Sequence, residues 1–226
     1  MSVPPSIIQA DFDRIARLAD GRDHNSFYDD FLLSRVPSPC REALEVGCGA
    51  GAFSRRLGER SAHVLALDLS PQMIRIARER SAHHANIEFQ VADVTRYGLP
   101  AEHFDCIAAI ATLHHLPMAE TLLKLRRALK PGGRLLILDL YQAATPADHL
   151  AGLAAFPVSL AWRLLRTGRL RAPREVRDAW AEHARHDVYP TLGEVRRTCA
   201  NLLPGAEVRR RLLWRYTVVW PPNPPP

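Results

Sequence analysis

Between Leu44 and Leu140 the chain alternates short apolar runs with longer amphipathic ones, and this alternation leaves few folds open to it. ALEVG (43–47), VLALD (64–68), IEFQVA (87–92), FDCIAAI (104–110) and RLLILDL (134–140) are each too short for a typical helix and read as strands. Between them Ala52–Arg60, Pro71–His83 and Met118–Leu129 carry helical spacing. Pro71 suits a first helical turn with Ser70 as its N-cap. LKPGG (129–133) is a helix stop, because proline cannot continue a helix and glycine tolerates a reversed backbone. Strands alternating with helices predict βαβ units, a parallel sheet and right-handed crossovers.

The two ends read differently. Residues 7–36 look helical, with Phe27, Phe31 and Leu32 on one side, and a helical segment before the first strand predicts a cap over the sheet edge, residues 1–40. The core follows over 41–141. Residues 142–190 form a long, Arg-rich, largely helical insertion after the fifth strand, in the place of a lid. A helix at 191–203, closed by Pro204 and Gly205, and a C-terminal antiparallel strand pair complete the core to residue 220. The proline-rich 221–226 is expected to be disordered or extended.

A chain of 226 residues, 47% apolar, can bury one sizeable core but is short for two full domains. No run approaches a membrane span, and the start lacks a basic segment leading into an apolar one, so no secretory signal is expected. Four scattered cysteines without a CxxC pair predict free thiols in a reducing, cytoplasmic setting. The net charge of +6 raises nucleic acid as a partner. Lys124 and Lys130 are the only lysines, however, and many arginines fall on solvated helix faces, so charge alone speaks weakly for it.

The glycine stretch carries the chemistry. Gly47, Gly49 and Gly51 follow the first strand and lead into a helix, where a missing Cβ lets backbone approach a ligand. The dinucleotide form is G-x-G-x-x-G, with a third glycine beneath a pyrophosphate. Here the third glycine comes one place early and Phe53 stands close by. Glu45, two residues before the first glycine, would repel a pyrophosphate and favour a ligand bearing an ammonium and a sulfonium. Asp68, at the end of the second strand, suits both ribose hydroxyls. Asp93, at the end of the third, suits an adenine amino group, with the Val94 N–H beside it. All three acids stand at C-terminal strand ends, where open α/β sheets bind ligands.

LEVGCGAG, LALDLSPQMI, VADVTRYGLP, FDCIAAIATLHHLP and LKPGGRLLILDL, in this order and spacing over about 41 to 140, resemble the motifs of class I S-adenosylmethionine-dependent methyltransferases of the small-molecule type. The resemblance implies a Rossmann-like α/β fold with a seven-stranded, mostly parallel sheet, the last strand antiparallel and helices on both faces. It implies S-adenosylmethionine as cofactor and S-adenosylhomocysteine as product. Carried over by position, Glu45, Gly47, Cys48 and Gly49 would line the methionine portion. Asp68 and Leu69 would take the ribose, Met73 would lie against it or the adenine, and Asp93 and Val94 would hold the adenine. The Ile110 carbonyl would meet the amino group, and His115 would lie near the methyl donor.

The acceptor is expected to be a small molecule, with no membrane partner. An RNA or protein target using the Arg-rich insertion, and a non-catalytic donor-binding role, are the alternatives; no N/D-P-P-Y/F motif follows strand four, where ATLH stands instead. For a general base the candidates are His115, His24 and Tyr28, then His183 and Tyr189. The adjacent His114 and His115 cannot both point one way on a regular element. His183, His186 and Asp187 have the spacing of a metal site on one helical face, but without a supporting glutamate or cysteine pattern no metal is expected.

Overall fold

A computed structural model describes residues 5–18, 25–168, 171, 173–185 and 187–221. Seven strands form one sheet: β1 (Glu42–Val46), β2 (His63–Asp68), β3 (Ile87–Val91), β4 (Phe104–Ile110), β5 (Leu129–Leu140), β6 (Glu207–Arg211) and β7 (Arg215–Trp220). Their order across it is β3-β2-β1-β4-β5-β7-β6. Contacts among the first five are parallel, and β7 runs antiparallel to both β5 and β6. The strand order reverses at β1, so the chain crosses to the opposite side of the sheet beside the glycine loop. This is where an open α/β sheet forms its ligand crevice.

Both faces of the central strands are covered, which explains their unbroken apolar runs. On one face Leu44, Leu67, Ile107 and Ile137 pack with Leu122 and Leu125 of α5 (Met118–Ala128) and Val195 of α8 (Leu192–Leu202). On the other, Ala43, Val64, Ala108 and Leu136 pack with Phe53 and Leu57 of α3 (Ala52–Gly58) and Leu32 of α2 (Asp29–Leu33). Ile74 and Ala77 of α4 (Pro71–Arg80) extend that layer over Ala66 and Phe89. Ser70 caps α4 as read, its hydroxyl accepting from the Met73 N–H at 3.0 Å.

The structure corrects several boundaries. The stretch 7–36 is not one helix: α1 spans Pro5–Leu18, a 3-10 turn Asn25–Tyr28, and then α2 begins. Of its aromatic side, Leu32 is fully buried, whereas Phe27 stays 37% exposed and meets the Trp162 ring edge-on at 5.0 Å. LKPGG does stop α5, but the chain enters β5 at once, five residues earlier than its apolar run suggests. A register shift opposite Phe104/Cys106 admits it. A methyl on Gly133 would lie 2.9 Å from the Phe104 carbonyl oxygen, so only glycine lets β5 press this close.

The insertion folds as α6 (Pro146–Thr167) and α7 (Arg174–His183). Capping boxes start α6 at Thr145/Asp148 and α8 at Thr191/Glu194. Helix α1 lies across α4 and α7, over the C-terminal edge of the sheet. The tail beyond Pro221 and His24 lie outside the described residues.

Candidate active site

The loop after β1 turns by left-handed backbone at Gly47, Gly49 and Gly51 (φ +72°, +51° and +74°). It is tied to β2 by the N–H groups of Gly47 and Cys48, which both donate to the Leu67 carbonyl. The three glycines have different reasons. A methyl on Gly47 would fall 2.0 Å from Thr112 Oγ1, and one on Gly51 2.9 Å from the Phe89 ring, so both are packing positions. A methyl on Gly49 would meet nothing within 4 Å. Open space therefore lies over the middle of the loop.

Two carboxylates flank it. Asp68 accepts from the Gly49 N–H at 2.8 Å and the Ser70 N–H at 2.9 Å, using one oxygen for each. Burial raises its pKa against those two bonds. Glu45 is 2% exposed, and its Oε2 accepts from the Ser54 hydroxyl at 2.5 Å. Burial, opposed by that bond, pushes its carboxyl up to about 8. Cys48 is buried, and burial first, then the nearby Asp68 and Glu45, hold its thiol well above the ordinary range, which makes it a poor nucleophile.

Other residues expected around the cofactor already have partners. Asp93 Oδ1 accepts from the Thr95 N–H and hydroxyl, beside the buried Val94. The Ile110 carbonyl accepts the Thr112 hydroxyl at 2.9 Å. Leu69 and Met73 are half-buried. Tyr28 is buried and donates its hydroxyl to the Leu212 carbonyl at 2.9 Å.

Beyond β4 the structure assembles what spacing alone did not foresee. Leu113–His115 is a 3-10 turn, not a regular element, so both imidazoles turn toward Asp187: His114 Nε2 is 4.0 Å from Oδ2, and His115 Nδ1 3.5 Å from Oδ1. The buried Asp139, near the end of β5, lies 2.6 Å from His114 Nδ1 and accepts the His114 N–H. His183 lies 3.6 Å from Asp187 Oδ1 and 3.3 Å from Asp11 Oδ2 of α1. Tyr189 donates to Asp187 Oδ2 at 2.5 Å. Burial, then the neighbouring His114 and His183, press His115 down to about 2. Helix α7 ends at His183, so the helical face expected for His183, His186 and Asp187 does not exist; His186 lies outside the described residues. Asp13, also on α1, accepts from the Ser70 hydroxyl and, at 3.3 Å, from the Gln72 N–H.

Residues 44–137 match the family model described as a methyltransferase domain. An uncharacterized methyltransferase of Mycobacterium tuberculosis is 34% identical over 200 residues, 87% of this chain and 94% of its own length. The chain belongs to the class I S-adenosylmethionine-dependent methyltransferases.

A structurally similar methyltransferase, the S-adenosylmethionine-dependent one from Aquifex aeolicus, superposes with a TM-score of 0.60 at 20% identity, covering 96% of this chain and 98% of that one. A ubiquinone biosynthesis O-methyltransferase of Xylella fastidiosa is 36% identical over 112 residues, but these span only 48% of this methyltransferase and 45% of the relative. The residues present suit the cofactor: bare backbone under open space, acceptor oxygens at the β2 tip, and a buried acid below the loop. The groups that sequence reasoning missed are Asp11, Asp13, Thr112 and Asp139. Asp139 was legible only as part of LILDL, a polar residue inside an otherwise apolar strand.

Proposed function

We propose that this methyltransferase passes a methyl group to a small-molecule acceptor, with the donor lying over Gly49 between Glu45 and Asp68. The open space at Gly49, between two buried or half-buried acids at strand ends, is the observation that carries this reading. Asp68 has lone pairs left for ribose hydroxyls, and Glu45 offers a negative charge to the amino-acid end of the ligand. Leu69 and Met73 would flank the nucleoside, and Asp93 with the Val94 N–H would meet the adenine edge. The bound cofactor supplies an electrophilic methyl group; the chain's work is to align the acceptor and exclude water.

The acceptor side is formed by the β4 turn bearing His115, by α1 and by the insertion. Between α6 and α7 lies a groove of about 690 Å³ floored by Phe156, Leu160, Val176 and Trp180, with Arg163 and Arg177 in its lining. Trp180 meets the His183 ring at 5.8 Å, which joins the groove to the imidazole cluster. An apolar acceptor carrying an acidic group fits this lining. The four cysteines are buried free thiols, in keeping with a cytoplasmic setting.

Calorimetry with S-adenosylhomocysteine and with NAD tests the donor assignment. The first should bind and the second should not, and Asp68→Ala should weaken binding by about 1–3 kcal/mol through lost ribose hydrogen bonds. Binding of NAD alone, or an unchanged affinity in the variant, overturns it.

A further inference from the structure

We propose that His114, His115 and Asp187 form a binding site for a divalent transition-metal ion of the zinc class, on the acceptor side of the cleft. One ring nitrogen from each histidine and a carboxylate oxygen of Asp187 lie within 4.8 Å of one another. Imidazole and carboxylate ligands sit ~2.0–2.2 Å from zinc, which at tetrahedral angles puts neighbouring ligand atoms ~3.3–3.6 Å apart. The observed separations are 3.5 Å from Asp187 Oδ1 to His115 Nδ1 and 4.0 Å from the other oxygen, Oδ2, to His114 Nε2. Both are longer than a good N–H···O bond and close to what two ligands of one ion require. The three side chains are only 4%, 9% and 4% exposed.

The surroundings are those of a metal site as well. Asp139 can only accept from His114 Nδ1, which fixes that ring's tautomer and leaves Nε2, the atom facing Asp187, with a free lone pair. Tyr189 holds Asp187 Oδ2 by a hydrogen bond, in the way ligating carboxylates are held by an outer partner. His115 faces Asp187 with Nδ1, and among the described residues its buried Nε2 has no hydrogen-bond partner, so this ring lacks the outer support that His114 has. His183 stands between Asp187 and Asp11, where it can serve as a fourth nitrogen. The rival account needs no ion: Asp11, Asp139 and Asp187 simply accept from the ring N–H groups of the three histidines.

This site does not depend on the methyl-transfer reading, since every ligand belongs to the chain. Combined with that reading, the ion has a use: a hydroxyl acceptor bound to it gives its proton to solvent, its oxygen bonds to the methyl carbon, and the carbon–sulfur bond breaks with the pair left on sulfur. This favours an oxygen acceptor.

Full-length protein, dialysed against chelator, should be titrated with Zn²⁺ by calorimetry and with Co²⁺ by visible absorption. One equivalent should bind with micromolar or tighter affinity, and Co²⁺ should give the intense d–d bands of a low-coordinate site. Asp187→Asn and His115→Ala should abolish the bands. Asp139→Asn, outside the ligand set, should keep the fold by circular dichroism and weaken affinity ~10–100-fold. Wild-type protein that binds neither ion, or bands unchanged in the folded variants, overturns the site in favour of the ion-free hydrogen-bonded network. The same samples are titrated with S-adenosylhomocysteine: binding without metal uptake defeats the metal site alone, and metal uptake without it defeats the donor assignment alone.

Discussion

Glu45 is the residue whose burial has the most readable consequence. Its folded pKa, about 8, lies above the ordinary 4.5, so the folded protein holds this proton more tightly than the unfolded chain. The stability that results is complete below the unfolded pKa and is lost as pH rises to the folded one, at ~1.4 kcal/mol per pH unit. Urea unfolding of ligand-free protein should show this loss, and Glu45→Gln should flatten it. An ammonium held beside Glu45 favours the carboxylate, so S-adenosylhomocysteine binding at neutral pH should release a proton from wild type and none from Glu45→Gln, measured calorimetrically in buffers of different ionisation enthalpy. The glycines divide likewise. Gly47→Ala sets a methyl against Thr112 at a left-handed position and should cost ~2–5 kcal/mol of stability. Gly49→Ala should cost only the strain of that backbone, ~1–2 kcal/mol, yet lower donor affinity at least tenfold. Thermal unfolding and calorimetry on both variants separate the two roles.

Among elements, the strands and their helices were legible because each is a local pattern: apolar runs of strand length, Ser70–Pro71 ahead of α4, Thr191 three residues before Glu194. What local pattern cannot carry is contact between distant segments. The imidazole cluster draws on α1, the β4 turn, β5 and the chain after α7, and no spacing rule joins Asp11, His115, Asp139 and Asp187. The helical spacing of His183, His186 and Asp187 misled for the same reason, since it assumed that α7 continues past His183. The acids at the strand ends were legible, because a strand end followed by an acid is itself a local signal; the partners of Asp93 and Ile110 were not. Helix α1 makes its own prediction. Deleting residues 1–18 removes Asp11, Phe12 and Asp13 but none of the sheet, so turnover should fall by tenfold or more while denaturant unfolding of the core persists.

At the scale of the whole molecule, several of the arginines are answered locally. Arg56 meets Asp29 and Asp30, Arg75 meets Glu79, Arg185 meets Glu182, Arg209 meets Glu207, and Arg210 meets Asp148. The small-molecule reading predicts that mobility-shift assays with tRNA at low and moderate salt give no salt-sensitive complex. The placement of α1 has a consequence for the order of events. One short rod rests its Asp13 on the Ser70 corner and, a residue or two earlier, sets Phe12 and Asp11 against His115 and His183. On the proposed function, lifting it to admit the nucleoside beside Asp68 would strip a wall from the space beside His115. Loading should therefore be sequential, cofactor before acceptor, and the spent cofactor should leave only after the methylated product, a sequence that product-inhibition kinetics would reveal.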